Sequence, residues 1–348
     1  MVSRELVVAA LNHLPVERIP RDIWVAPPAK LSYREEVSEI GLRYPSDIIR
    51  PKFHYSRGER EKGKPSSTGA YRDAWGCTWE GVSKGGDSRV SNPPLSDSGR
   101  IANWEPPFEI FKNARFGPVN GECEATSRFV LASTETCLLR RLCLLRGSKA
   151  AYADLAADRP RIRKLLAKLH DFSCKEMELW AETDVDGVML SEDFSGGATA
   201  ADMGVGESTP IGLQAWREIF KPLWKEYCKI IHDADKFVFV SIRGDAGRFL
   251  SEMIKAGVDA VHFDPFPSGF EKLAKRFHGR VTFWTEVDRN LMLGDSSEDV
   301  AETVGRVRGP LDFGSGGLIA RCNWQGGMSP ENVLALFDSW SRPMAMHV

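Results

Sequence analysis

Short apolar runs, each closed by a polar residue and followed by a longer amphipathic stretch, repeat along the C-terminal half of the chain. They occupy 187–190, 237–242, 260–263, 281–284 and 317–320. Short apolar strands alternating with helices of about ten residues or more build a parallel sheet. The intervening helices are predicted at 214–233, 245–256, 269–277 and 297–307, and a last one starts at Ser329-Pro330 and runs to about Trp340. In the first of these, Trp216, Phe220, Trp224, Tyr227 and Ile231 fall on or near one stripe, the pattern of a face packed on a core. Upstream the same reading gives a helix over 3–13, a strand over 19–24, a helix over 33–43, a short strand over 46–50 and a strand over 129–132. Helices then follow over 135–146, 149–157 and 160–182, the last with Pro160 in its first turn, where a missing N–H costs nothing. The whole is the pattern of a single (β/α)8 TIM barrel over 1–348, with insertions at about 55–100 and 194–210. The first insertion holds a β-like island at 76–81, which suggests a small antiparallel flap beside the barrel mouth or a surface excursion without consequence.

Composition narrows the function. A net charge of -2, with 27% charged and 42% hydrophobic residues, gives no electrostatic case for nucleic acid or an anionic membrane. No run approaches the length of a membrane-spanning helix, and the opening residues lack the pattern of a signal peptide. The cysteine count of 7, odd and widely spaced without a CxxC, reads as reduced thiols in a cytoplasmic setting.

In such a barrel the chemistry gathers at the C-terminal strand ends. The residues there are Glu192 and Asp193, Arg243 and Asp245, Asp264, Glu286 and Asp288, and Cys322 with Trp324. Adjacent carboxylates can bind a metal, act as a general base or cap a loop. Arg243 suits a substrate carboxylate or phosphate, or else a salt bridge to Asp193 or Asp264 that holds the rim. His262 alternates with apolar neighbours and faces either the lumen or the helix layer. Cys322 is a metal ligand or nucleophile, or a buried thiol like the others. Gly196-Gly197 lacks the rest of a phosphate loop.

Several segments resemble the uroporphyrinogen decarboxylase superfamily: 12–20 at the start, 186–193, 216–222, 283–288, 317–324 and 329–333. The resemblance implies a (β/α)8 barrel with its cleft at the C-terminal strand ends. It also implies one of two chemistries, cofactor-free decarboxylation of a porphyrinogen or zinc-dependent methyl transfer to or from a corrinoid protein. Ser46-Asp47-Ile48 is similar to the segment carrying the decarboxylase aspartate, which makes Asp47 its counterpart, but the arginine-rich substrate motif of that branch is missing from 24–34. On the methyltransferase side, Cys322 matches a zinc ligand and Glu192 with Glu218 resemble the acidic ones, while Ser241 and Arg243 stand where histidine or cysteine ligands are expected. A guanidinium cannot ligate zinc.

The expected function is therefore a methyltransferase acting between a small substrate and a corrinoid protein, with Glu192, Asp193, Arg243 and Asp47 as catalytic candidates. Asp245, His262, Asp264, Glu286, Asp288 and Trp324 are the candidates for substrate contact, and Cys322, Glu192 and Glu218 for a reduced zinc set. Two alternatives stay open: a decarboxylase with no cofactor, and a ligand-binding paralogue without turnover. The partners expected are a small molecule, a corrinoid protein and, as an oligomeric option, a second copy in a homodimer.

Overall fold

The computed structural model describes residues 1–64, 70–80, 89–112, 114–194, 211–244, 247–264, 269–294, 296–311 and 314–342. Eight strands form the barrel: β1 (Arg21–Val25), β2 (Ile48–Ile49), β3 (Phe129–Ser133), β4 (Gly187–Asp193), β5 (Phe237–Arg243), β6 (Ala260–Asp264), β7 (Thr282–Thr285) and β8 (Leu318–Trp324). They are ordered β1-β8-β7-β6-β5-β4-β3-β2, and every paired neighbour is parallel. Across the remaining seam, between β1 and β2, the Asp47 N–H donates to the Arg21 carbonyl at 2.7 Å. The fold is a (β/α)8 barrel, as the periodicity and the resemblance both predict.

Side-chain alternation divides each strand between two cores. Phe129, Leu131, Phe239, Ala260, Trp284 and Ile319 point into the lumen, where they meet Val7, Ala10 and Leu11 of the N-terminal helix Ser3–Leu11. That helix plugs the bottom of the barrel, tied by Gly317 N–H to the Ala10 carbonyl at 2.8 Å. Gly316 has φ +71, and a Cβ there would lie 2.7 Å from the Leu14 carbonyl oxygen, so only glycine fits the approach. Val188, Leu190, Val238, Val240, Ile242, Ala320 and Cys322 point outward, into the core shared with the helices.

Strands β4, β5 and β8 run further than their apolar runs, to Asp193, Arg243 and Trp324. Residues expected just beyond the strand ends are thus still in strands, and alternation decides which of them enter the lumen. The helix predicted over 214–233 is interrupted: a π-helical turn, Trp216–Phe220, precedes the helix Lys221–His232. Pro222 has no N–H to return to the Glu218 carbonyl, and its ring crowds that carbonyl, so the turn widens and Lys221 N–H bonds to the Trp216 carbonyl instead. The first insertion forms a three-stranded antiparallel sheet from Tyr71–Arg72, Thr78–Glu80 and Arg89–Asn92. Most of 194–210, with Gly196 and Gly197, lies outside the described residues. All seven cysteines are free thiols. Among the described residues, no helix is long and apolar enough to cross a membrane.

Candidate functional site

At the C-terminal end of the lumen the apolar layers give way to a polar one. His262 of β6, Ser241 and Arg243 of β5, Asp193 of β4, Arg321 and Asn323 of β8, and Glu286 after β7 line a cavity of about 210 Å³. His262 is buried, with Nε2 3.5 Å from Glu286 Oε1 and its ring edge-on to Trp284 at 5.8 Å. Burial, and then the charge of Arg321, hold its pKa well below 6.5, so the imidazole is neutral at pH 7. Arg321 lies over Trp284, 4.6 Å from the ring centroid, with Nε 3.8 Å from Glu286 Oε2. Glu286 Oε2 also accepts the Asn323 N–H at 3.1 Å.

Four buried atoms in this layer have no hydrogen-bond partner among the described residues: His262 Nδ1, Arg321 Nε and Nη1, and Asn323 Oδ1. Buried polar groups are rarely left unpaired. The Arg321 nitrogens and the Asn323 oxygen can be satisfied from outside the chain by a molecule that offers acceptors to the guanidinium and a donor to the amide oxygen.

Beneath them, Arg50 pairs with Asp22 through both terminal nitrogens, the Nη2–Oδ2 bond at 2.7 Å, and the Trp284 indole N–H donates to Asp22 at 2.9 Å. Arg50 also borders a second, wider cleft of about 1050 Å³ between the barrel and the flap. Trp24, Trp75, Trp79, Tyr55 and Arg72 line it, with Arg141 4.0 Å above the Trp75 ring and ion-paired to Glu135 at 2.9 Å. Arg140 lines both cavities, so they adjoin. The flap therefore stands at the cleft and supplies part of its wall.

The structure redistributes the sequence candidates. It brings Asp193, Arg243, His262 and Glu286 together around the smaller cavity. Of the two partners expected for a rim bridge, Asp193 lines the same cavity as Arg243, and the side chain of Asp264 lies outside the described residues. Glu192 borders the cavity too, but it points outward and accepts the backbone N–H groups of Leu139 and Arg140, each at 3.0 Å. It thereby caps the helix Leu138–Arg146. Burial pushes its carboxyl up to about 7 against the pull of those hydrogen bonds.

Asp47 precedes β2, at the opposite end of the barrel, so it is not a mouth residue. It is fully buried and accepts two bonds from Arg18 at 2.7 Å, one from Ser3 at 2.6 Å and the Arg21 N–H at 2.8 Å. Asp288 is spent capping the short helix Arg289–Met292 through the Asn290 N–H. Trp324 faces the helix layer, its indole N–H bound to the Met328 carbonyl at 3.0 Å and its ring stacked on Tyr33. Asp245 and the side chain of Asp264 lie outside the described residues.

The expected zinc set does not assemble. Cys322 faces outward, Glu192 caps a helix, and Glu218 is exposed on the π-helical turn, bonded to Gln214. The three do not form a ligand group among the described residues, so they do not fit the metal. Arg321, Asn323, Asp22, Arg50 and Arg140 were missed. For the two in β8 the missing signal was parity: Ile319 is a lumen residue, and counting by two reaches Arg321 and Asn323, not Cys322 and Trp324.

The uroporphyrinogen decarboxylase (URO-D) family model matches residues 72–342. No curated protein matches the sequence. Among solved structures, a methyltransferase from Methanosarcina mazei superposes with a TM-score of 0.68 at 13% identity, covering 98% of this chain and 98% of that one. A 3-keto-D-glucoside 4-epimerase from E. coli reaches a TM-score of 0.39 at 11% identity, covering 71% of this chain and 85% of that one, which is too distant to carry an argument.

Proposed function

Because the chain belongs to the uroporphyrinogen decarboxylase family, we propose that its two adjoining cavities serve methyl transfer between a small organic anion and a bulkier carrier. The observation that carries this is the pairing of a small polar cavity of about 210 Å³ with a wide aromatic cleft of about 1050 Å³, with Arg140 lining both. A carrier and a small acceptor would each take one of these two spaces. The full-length likeness to a methyltransferase accords with the same division.

In this reading Arg321 and Arg243 hold the anion, Asn323 Oδ1 accepts a donor on it, and Trp284 walls the floor. When the accepting heteroatom carries a proton, His262 Nδ1 takes it as the methyl bond forms. The imidazolium so made is steadied by Glu286, 3.5 Å from Nε2. A corrinoid on a partner protein supplies the methyl-carrying metal when bound, and Trp24, Trp75, Trp79 and Arg72 are the cleft residues that would hold it. A second reading, decarboxylation without a cofactor, is favoured by the Arg321 nitrogens that lack a hydrogen-bond acceptor, which suit a carboxylate.

The test incubates the protein with methylcobalamin and a panel of small thiol, amine and phenol acids. Loss of the methylcobalamin spectrum with one acid, slowed at least about 100-fold by Arg321→Ala and by Glu286→Gln, is the expected result. Carbon dioxide release with methylcobalamin untouched would replace methyl transfer by decarboxylation. Tight binding of an acid with neither reaction would leave a ligand-binding protein and sink both.

A further inference from the structure

On the flank of the barrel, away from both cavities, the helix Pro160–Ala181 carries His170 and Cys174 one turn apart. Residues at this spacing share a helix face. The helix Lys221–His232 packs against that face and brings Glu226 beside them. His170 Nε2 lies 3.1 Å from Glu226 Oε2, and Cys174 Sγ lies 3.7 Å from each ring nitrogen. The donor atoms of the three residues all fall within 4.8 Å of one another, the one such group among the described residues.

The Nε2–Oε2 separation is that of two ligands on one ion, and a turn about the Cys174 Cα–Cβ bond brings the sulfur, equidistant here from both ring nitrogens, to the Nε2 side. With zinc–nitrogen and zinc–oxygen bonds of about 2.0–2.1 Å and a zinc–sulfur bond of about 2.3 Å, tetrahedral ligands stand about 3.3 Å (N to O) and about 3.5 Å (N to S) apart. The ring is already set for the task. Its other nitrogen, Nδ1, is 2.9 Å from the hydroxyl of the buried Tyr227, which fixes the imidazole plane and leaves Nε2 to the ligand side. Glu226, among the described residues, contacts His170 and makes no salt bridge to a lysine or arginine, so no fixed cation competes for the position.

We propose that His170, Cys174 and Glu226 bind a divalent metal, with zinc the ion their imidazole, thiol and carboxylate select. On binding, the Cys174 thiol gives its proton to solvent and the sulfur electron pair goes to the metal, with no change of oxidation state. Glu226 is half exposed, with 56% of its side-chain surface accessible, so water completes the coordination. The ion would staple two neighbouring outer helices of the barrel. It is independent of the chemistry proposed at the mouth, since none of the three residues lines either cavity.

Cobalt(II) titrated into the reduced full chain tests this directly. The expected result is a saturable one-to-one complex with a near-ultraviolet sulfur-to-cobalt charge-transfer band that zinc displaces. Cys174→Ser should abolish the band, and Glu226→Gln, a surface change that leaves packing intact, should weaken binding at least about tenfold. Zinc should raise the Tm of the natural protein by several degrees and that of the Cys174→Ser protein by none. A charge-transfer band that persists in Cys174→Ser, or the absence of both the band and the zinc-dependent Tm shift, would overturn the assignment.

Discussion

Glu176 is fully buried and, among the described residues, is held by hydroxyl and amide donors with no cation at all. Its Oε1 accepts the Tyr55 hydroxyl and the Glu135 N–H at 2.6 Å, and its Oε2 accepts the Thr136 hydroxyl at 2.6 Å. Burial pushes the carboxyl up to about 7, and the hydrogen bonds recover only part of that shift. A carboxyl whose pKa is higher in the folded chain than in the unfolded one favours folding in its protonated form. Its contribution is therefore present at low pH and is lost as pH rises from the unfolded value, about 4.3, through the folded one. Glutamine keeps the acceptor for Tyr55 and Glu135, and its amide can donate to Thr136, whose hydroxyl accepts as well as donates. Glu176→Gln is thus expected to stabilise the protein by about 2–4 kcal/mol at pH 8 and by only about 1 kcal/mol at pH 5, measured by urea unfolding. An equal gain at both pH values would mean that shape, not charge, sets the cost.

At the scale of strands and helices, what could be read from the sequence and what could not follow from distance along the chain. Each barrel strand is a short apolar run with its own boundaries, so all eight were legible locally, as were the long helices. The face a polar residue presents is legible only by carrying the alternation past the apolar run, and a reading that stops at the run's end points to Cys322 and Trp324 in place of Arg321 and Asn323. Partnerships were not legible. Asp22 meets Arg50 from 28 residues away, and Glu192 reaches the N-terminus of the helix Leu138–Arg146 from 53 residues away. No local spacing marks either pair. The second predicts that Glu192→Ala, which strips two N–H groups of their acceptor, destabilises by about 1–2 kcal/mol at pH 6. Because the carboxylate's burial cost disappears with it, that loss should shrink at pH 8. A loss that instead grows with pH would assign Glu192 a cationic partner, not a capping role.

Across the whole molecule, the barrel closes unevenly, and its weakest seam lies between β1 and β2. β2 pairs with β3 through Ile48 and Ile49 alone, and β1 meets β2 without a ladder, whereas β4 and β5 pair along their full length from Gly187 to Asp193. Two carboxylates do the work of the missing ladder. Inside the lumen Asp22 of β1 grips Arg50 beyond β2, and on the outer face Asp47 collects Arg18, Ser3 and the Arg21 N–H. Burial works to raise the Asp47 carboxyl, but those four bonds outweigh it and hold it below the ordinary carboxylate range. Its contribution is accordingly present above the unfolded pKa and is lost as pH falls through the folded one. Asp47→Ala should cost about 3–5 kcal/mol at pH 7, since it leaves the Arg21 N–H buried and the Arg18 guanidinium without its partner. The loss should also be localised. Amide hydrogen exchange should quicken in 21–25 and 46–50 well before it does in β4 or β5, because the seam opens without breaking their ladder. Arg50 and Trp24 flank the wide cleft from the two sides of that seam, so the variant should also bind methylcobalamin more weakly while leaving acid binding at Arg321 intact. If exchange instead quickened evenly around the barrel, the seam would be no weaker than the rest of the sheet, and Asp47 would be one buried ion pair among several.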